Sequence, residues 1–271
     1  MLPKRFPEFR NRTVLITGGT MGIGLETGLA FARQGAQCFL TYKWGTADEE
    51  EVRRRFRQAG GLEPEIYRAD AGSTDDTTCL LEEIRQRHGS IDVFVSNVSA
   101  AQIVGNLNDY SAKALFKTIG FSAWPMVDYT LRIREILGRY PRYVIGMSST
   151  GVDSWACGYD LMAASKAVME TLCRYLSFRL KDEDVRVNVV RGGMVRTQSF
   201  EETFPADFVA FADRFAGDRY RLEAADIANA IVALCSGLMD AYTGQILTVD
   251  RGMSFFDNSM RLYAESGQPA G

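Results

Sequence analysis

Short apolar runs alternate with amphipathic stretches along the whole chain. TVLIT (13–17), QCFLTY (37–42), EIYRAD (65–70), IDVFVSN (91–97), RYVIGMSS (142–149), VRVNVVRG (185–192) and GQILTVD (244–250) are rich in β-branched and aromatic residues. Most are apolar on both faces, the pattern of strands covered on both sides. Between them, helical patterning runs up to Ala32 and over 47–59, 75–87, 109–138, 159–180 and 226–238. Strands alternating with helices predict crossover units and a parallel sheet of seven strands, an α/β chain with helices on both faces. No linker, repeat or low-complexity segment interrupts the series before the polar tail ESGQPAG, so residues 1–271 are expected to form one domain.

One segment breaks the rhythm. Residues 198–220, QSFEETFPADFVAFADRFAGDRY, set five phenylalanines and a tyrosine among acids. They follow the sixth strand, and open α/β sheets bind ligands beyond the carboxyl ends of their strands. The segment reads either as amphipathic helices packed on the core or as a lid over an apolar substrate.

The first strand runs into LITGGTMGIG, with Gly18, Gly22 and Gly24 opening the first helix. Glycines there permit positive φ and let a pyrophosphate approach backbone amides at a helix N-terminus. The spacing is G-x-x-x-G-x-G rather than G-x-G-x-x-G, so the strand–turn–helix context carries the inference. The second strand ends Thr41-Tyr42-Lys43-Trp44, with no acid before Asp48. A carboxylate there would hold a ribose 2′-hydroxyl, whereas Lys43 would neutralise a 2′-phosphate. NADP(H) is therefore expected over NAD(H).

Composition narrows the field. The formal net charge is −3, with 46% hydrophobic and 24% charged residues. No region carries the basic excess of a nucleic-acid surface, and EVRRRFR (51–57) reads as a solvated helix face. The five cysteines form no C-x-x-C. Cys38, Cys173 and Cys235 read as small buried hydrophobes, and no metal site is expected. No apolar run approaches the ~20 residues of a membrane span, and no apolar stretch of a secretory signal follows MLPKRFPEF, so the cytoplasm is the expected location. His88, the only histidine, reads as a surface turn residue. Trp124 and Trp155 read as pocket or core residues, and Arg191 as meeting an anionic substrate or an acid.

These motifs together resemble the short-chain dehydrogenase/reductase superfamily over about residues 8–255, and with it a Rossmann-type doubly wound sheet. The resemblance rests on TGGTMGIG (17–24), Asp70-Ala71, DVFVSNVS (92–99), GMSST (146–150), VRVNVVRGGMVRT (185–197) and TGQILTVDRG (243–252). It implies a dinucleotide held by Gly18, Thr20, Met21, Gly22, Ile23 and Gly24. Asp70 and Ala71 would meet the adenine, and Asn97 would lie near a cofactor ribose. Lys166 would bind the nicotinamide ribose, Val195 the carboxamide through its backbone, and Thr197 the pyrophosphate. It also implies a homodimer or homotetramer.

Several departures stand out. Ser96-Asn97-Val98-Ser99 replaces the usual N-N-A-G, and no relay asparagine occurs in FKTIGFSAWP (116–125). Met162 occupies the usual tyrosine position four before the lysine, while Tyr159 stands seven before Lys166. That spacing resembles the enoyl-acyl-carrier-protein reductase branch. Ser149, seventeen before the lysine, instead matches ordinary ketoreductases.

If both residues were helical, seven positions would separate them by roughly 10.5 Å of rise on a shared face; otherwise Tyr159 precedes the helix or sits in its first turn. Either way the phenol is displaced along the site. In carbonyl reduction the acid protonates oxygen on the carbon that receives hydride. In reduction of a conjugated thioester, charge develops on an oxygen two carbons further away, where a displaced donor would be needed. Lys166 is expected to lower the Tyr159 pKa, and Ser149 to add a second hydrogen bond. Tyr159, Lys166 and Ser149 are thus the expected catalytic residues. The first expectation is an NADPH-dependent reductase of a conjugated C=C bond, on a small-molecule or carrier-bound acyl substrate. The alternatives are a ketoreductase of secondary metabolism and a catalytically silent dinucleotide-binding protein.

Overall fold

The computed structural model describes residues 9–43, 48–100, 102–197, 200, 207–208, 210–211 and 220–265. Seven parallel strands form one sheet: β1 (Thr13–Ile16), β2 (Gln37–Tyr42), β3 (Glu65–Arg68), β4 (Val93–Ser96), β5 (Tyr143–Ser149), β6 (Arg186–Gly192) and β7 (Ile246–Val249). Their order is β3-β2-β1-β4-β5-β6-β7. The winding reverses between β1 and β4, which pair in register from Val14↔Val93 to Ile16↔Val95. The carboxyl ends of those strands form the topological switch point, where such sheets bind ligands.

Alternation along each strand feeds two cores. Val14, Ile16, Val93, Val95 and Ile145 face one side, packed with Leu29 and Phe31 of α1 (Gly22–Arg33), Val52 and Phe56 of α2 (Glu49–Gln58) and Ile231 of α7 (Ala224–Leu234). Leu15, Phe94 and Val144 face the other, with Leu81 of α3 (Thr74–Arg87), Ile133 of α5 (Trp124–Leu137) and Met169 and Cys173 of α6 (Asp160–Arg179). Cys38, Cys173 and Cys235 are buried as expected. A last helix, α8 (Asn258–Glu265), follows β7.

The helix expected over 109–138 is divided. A 3-10 turn spans Leu107–Asp109, α4 spans Ala112–Ser122, and α5 begins at Trp124 after a junction at Ala123. Pro125 explains the break: it has no N–H for the preceding turn, and its ring fits only the first turn of a helix. The fourth strand is shorter than IDVFVSN and starts at Val93; Asp92 just before it is tied to Thr13 of β1 by both its backbone N–H and its carboxylate. Among the described residues no helix is long and apolar enough to cross a membrane.

Candidate functional site

At the switch point the backbone forms a cradle. Gly18 and Gly22 have φ of 63° and 53°, conformations that side chains disfavour. Gly24 is required for closeness instead: a Cβ there would lie 2.1 Å from the Gly18 carbonyl oxygen and 2.7 Å from Asn97 Nδ2. Asn97 ties the turn to β4, its Nδ2 donating to the carbonyl oxygens of Thr17 (3.1 Å) and Gly18 (3.0 Å). α1 starts at Met21 with no side-chain cap and no acid in its first turn, so its first N–H groups remain for an anion. Thr20 is buried and Met21 exposed, while Ile23 packs against the core. The open side of Gly22 faces Thr197, whose Cβ stands 3.5 Å from where a Gly22 Cβ would be. Val195 is buried beside it in a bridge with Leu222. Glycines and open amides at the start of α1 fit the pyrophosphate of a dinucleotide.

Lys43 and Asp70, expected to act separately, are joined in an ion pair. The Lys43 ammonium also lies 4.8 Å from the centre of the Phe121 ring. Asp70 accepts from the Gly72 N–H at 2.9 Å, Ala71 is buried, and Trp44 lies outside the described residues. The cation at the end of β2 is thus shared between a carboxylate and an aromatic face.

The reactive end is built from β5 and α6. Ser149 is the last residue of β5. Tyr159 is the N-cap of α6, with φ −92° and ψ 3°, so it precedes the helix that carries Lys166. Its ring lies against Gly151, where a Cβ would come within 2.8 Å of it. Burial raises the Tyr159 pKa, and the neighbouring Ser149 hydroxyl offsets part of that rise. Lys166 is 3% exposed. Its Nζ donates to the Met147 carbonyl oxygen at 2.6 Å and to Ser99 Oγ at 3.1 Å. Burial lowers its pKa to about 7. This corrects the expected electrostatics: the lysine is itself desolvated, and Ser149 rather than Lys166 is the group that moderates the phenol.

Two participants, Ser99 and Glu170, escaped the sequence reading. Ser99 was visible only as a departure, and its contact with Lys166 depends on the β4–β5 geometry. Glu170, one turn beyond Lys166, is 3% exposed and accepts from Ser148 Oγ at 2.7 Å. Arg191 donates to Glu170 through Nε at 2.6 Å and Nη2 at 2.5 Å, and pairs with Asp153. Arg191 thus meets acids, the second of its two expected roles. The signal available was the acid four residues after Lys166; its partners needed the β5–β6 register. Trp155 is 85% exposed and Trp124 half exposed, so neither is a core residue. His88 bonds Glu65 at 2.6 Å and packs edge-on to Phe39, a more fixed role than a free turn residue. The expected lid at 198–220 lies mostly outside the described residues. Among the described residues no group of three potential ligands could hold a metal ion.

A family model described as enoyl-(acyl carrier protein) reductase matches residues 18–254. The chain belongs to the short-chain dehydrogenase/reductase family and is an NAD(P)H-dependent oxidoreductase. It is 27% identical over 263 residues to 1-cyclohexenylcarbonyl-CoA reductase of Streptomyces collinus, covering 96% of this chain and 92% of that protein. It is 26% identical over 253 residues to 3alpha-hydroxysteroid dehydrogenase of Mediterraneibacter gnavus, covering 90% and 98%. A short-chain dehydrogenase from Burkholderia cenocepacia, solved with NADP, superposes with a TM-score of 0.78 at 22% identity, over 91% of this chain and 99% of that one.

Proposed function

We propose that this enzyme reduces the C=C bond of an α,β-unsaturated acyl thioester or related enone, using NADPH. The observation that carries the reading is the position of Tyr159: it caps α6 rather than riding on it, seven residues before Lys166. The similarity to a reductase of an unsaturated CoA thioester supports the same substrate class.

The dinucleotide, when bound, supplies the hydride. The α1 cradle and Thr197 would hold its pyrophosphate, with Asp70 and Ala71 at the adenine. The buried Lys166 ammonium has two acceptors among the described residues; its third N–H is available for ribose hydroxyls. Ser99 and the Met147 carbonyl fix its direction. Tyr159 Oη donates a hydrogen bond to the thioester oxygen, where negative charge grows as the β-carbon is reduced. Its raised pKa keeps the phenol protonated at neutral pH and ready to donate. Ser149 holds the phenol and supplies a second hydrogen bond. After proton transfer to the enolate, Tyr159 recovers its proton from water.

The preference for NADPH rests on Lys43 and on the absence of an acid at the end of β2. We place a small-molecule or carrier-bound substrate at the carboxyl edge of the sheet. Exposed Phe116, Tyr175 and Phe178 on α4 and α6 support a homodimer or homotetramer, which sedimentation would test.

A ketoreductase is the second reading, favoured by the Ser149 hydroxyl and the Tyr159 ring both bordering Gly151. Crotonyl-CoA and acetoacetyl-CoA, each incubated with NADPH and analysed by mass, separate the two. Butyryl-CoA is the expected product; 3-hydroxybutyryl-CoA alone would replace the first reading by the second.

A further inference from the structure

Glu170 and Arg191 form a largely buried ion pair whose side-chain hydrogen bonds, among the described residues, go to Ser148 and Asp153 and to none of the Ser149, Tyr159 and Lys166 side chains. Removing two charges from water costs free energy, and apolar residues of similar volume are often as stable or more so. Stability is therefore a weak reason for the pair, and its connections suggest another. Ser148 and Arg191 are register neighbours on β5 and β6. Both reach Glu170, which stands on α6 one turn after Lys166. The same guanidinium continues to Asp153, just past the 3-10 turn Thr150–Val152 that follows Ser149. One side chain on β6 thus links α6 to the turn after β5. Those two elements carry Lys166, Tyr159 and Ser149.

We propose that Arg191 is a positioning residue, clamping Glu170 and Asp153 so that Ser149 and Tyr159 are held in place relative to Lys166. The proposal rests on reading those three residues as the reactive set. Arginine suits the task because its planar fork gives Nε and Nη2 to one carboxylate and leaves Nη1 for another. A lysine offers one compact ammonium and cannot span both.

The test uses the full chain with NADPH, labelled with tyrosine carrying carbon-13 at Cζ. The Tyr159 resonance is assigned by its loss in Tyr159→Phe. The double variant Glu170→Leu/Arg191→Met removes the buried pair without stranding either charge, and Asp153→Asn loosens only the exposed end. The double variant is expected to keep its thermal midpoint within about 5 °C. Its Tyr159 Cζ resonance shifts and broadens, and kcat falls about tenfold with the NADPH KM within about twofold, as for a small misplacement of reacting groups. Asp153→Asn moves the same resonance less and lowers kcat by about threefold, and Asp153→Glu restores both. A folded double variant with an unshifted Tyr159 resonance and unchanged kcat overturns the clamp. If the double variant does not fold, an unshifted resonance in Asp153→Asn overturns it. If the wild-type chain turns over no unsaturated thioester, the proposed reaction fails, and the resonance alone still decides the clamp.

Discussion

Two buried carboxylates sit at opposite edges of the sheet and have different neighbours. Asp92, before β4 at the amino edge, accepts from the Thr13 N–H at 2.9 Å, Thr13 Oγ1 at 3.2 Å, Arg12 at 3.0 Å and Arg139 at 2.8 Å. Burial pushes its pKa up, but the Arg139 and Thr13 hydrogen bonds and the two arginine charges outweigh this and hold it low. Every partner belongs to structure: the first strand, its approach and the end of α5. Glu170, at the carboxyl edge, has the same kind of partners, a hydroxyl and a guanidinium, yet stands one turn from Lys166. Beside it, Lys166 is buried without a carboxylate; its pKa also falls, to about 7, which for a base disfavours the charged form. Similar chemistry thus secures a strand at one edge and surrounds a reactive group at the other. The difference lies in whether a charge is left unpaired.

Perturbing the two edges should separate rate from stability. The largest effect is expected for Tyr159→Phe, which should lower kcat by about 10²- to 10⁴-fold, the usual contribution of a positioned acid. NADPH affinity, read by fluorescence titration, should stay within about twofold because the phenol is not part of the α1 cradle.

At the amino edge, Asp92→Ala should cost about 3–5 kcal/mol of unfolding free energy in urea, since Arg12 and Arg139 lose their acceptor near a buried site. The folded fraction should keep its kcat. Because the folded pKa of Asp92 is depressed, its stabilisation is present above the ordinary carboxylate range and disappears as pH falls through the folded value. The wild-type advantage over Asp92→Asn should therefore shrink in acid.

Lys166→Met should do the reverse, lowering turnover while stabilising the cofactor-free protein. Below about pH 7 the lysine is charged in both states and its burial penalty is complete. Between about 7 and 10.5 the unfolded chain binds the extra proton, so wild-type stability rises with pH. The advantage of the methionine variant should fall by about 2–3 kcal/mol from pH 7 to pH 9 in urea titrations. A pH-independent difference would mean that Lys166 is not desolvated.

The smallest effect concerns the cofactor. Lys43→Ala should lower the NADPH-to-NADH ratio of kcat/KM by about tenfold, the loss of one phosphate contact. An unchanged ratio would show that the Asp70 pair already consumes the lysine's charge.

The fold was legible because both-face apolar runs leave few architectures besides a covered parallel sheet. The division at Ala123 was also within reach, since Pro125 marks it. At the site, the Gly18–Gly24 turn could be read from local spacing because its chemistry is backbone chemistry. Tyr159 and Lys166 were legible as a spacing, and the N-cap position of Tyr159 was one of the options left open. The Lys43–Asp70 pair and the Arg191–Glu170–Asp153 cluster were not legible. Each joins residues 21 to 38 positions apart, and only strand register brings them together. The Tyr159 acidity was misjudged for a related reason, since desolvation depends on packing that charge counting omits.

The most direct test uses a substrate with both reducible groups in one molecule. 2-Cyclohexenone is incubated with NADPH carrying deuterium in the transferred position, and the product is read by mass and NMR. Reduction through a displaced phenol predicts cyclohexanone with deuterium at C3. Cyclohexenol with deuterium on the carbinol carbon and the double bond intact would contradict it.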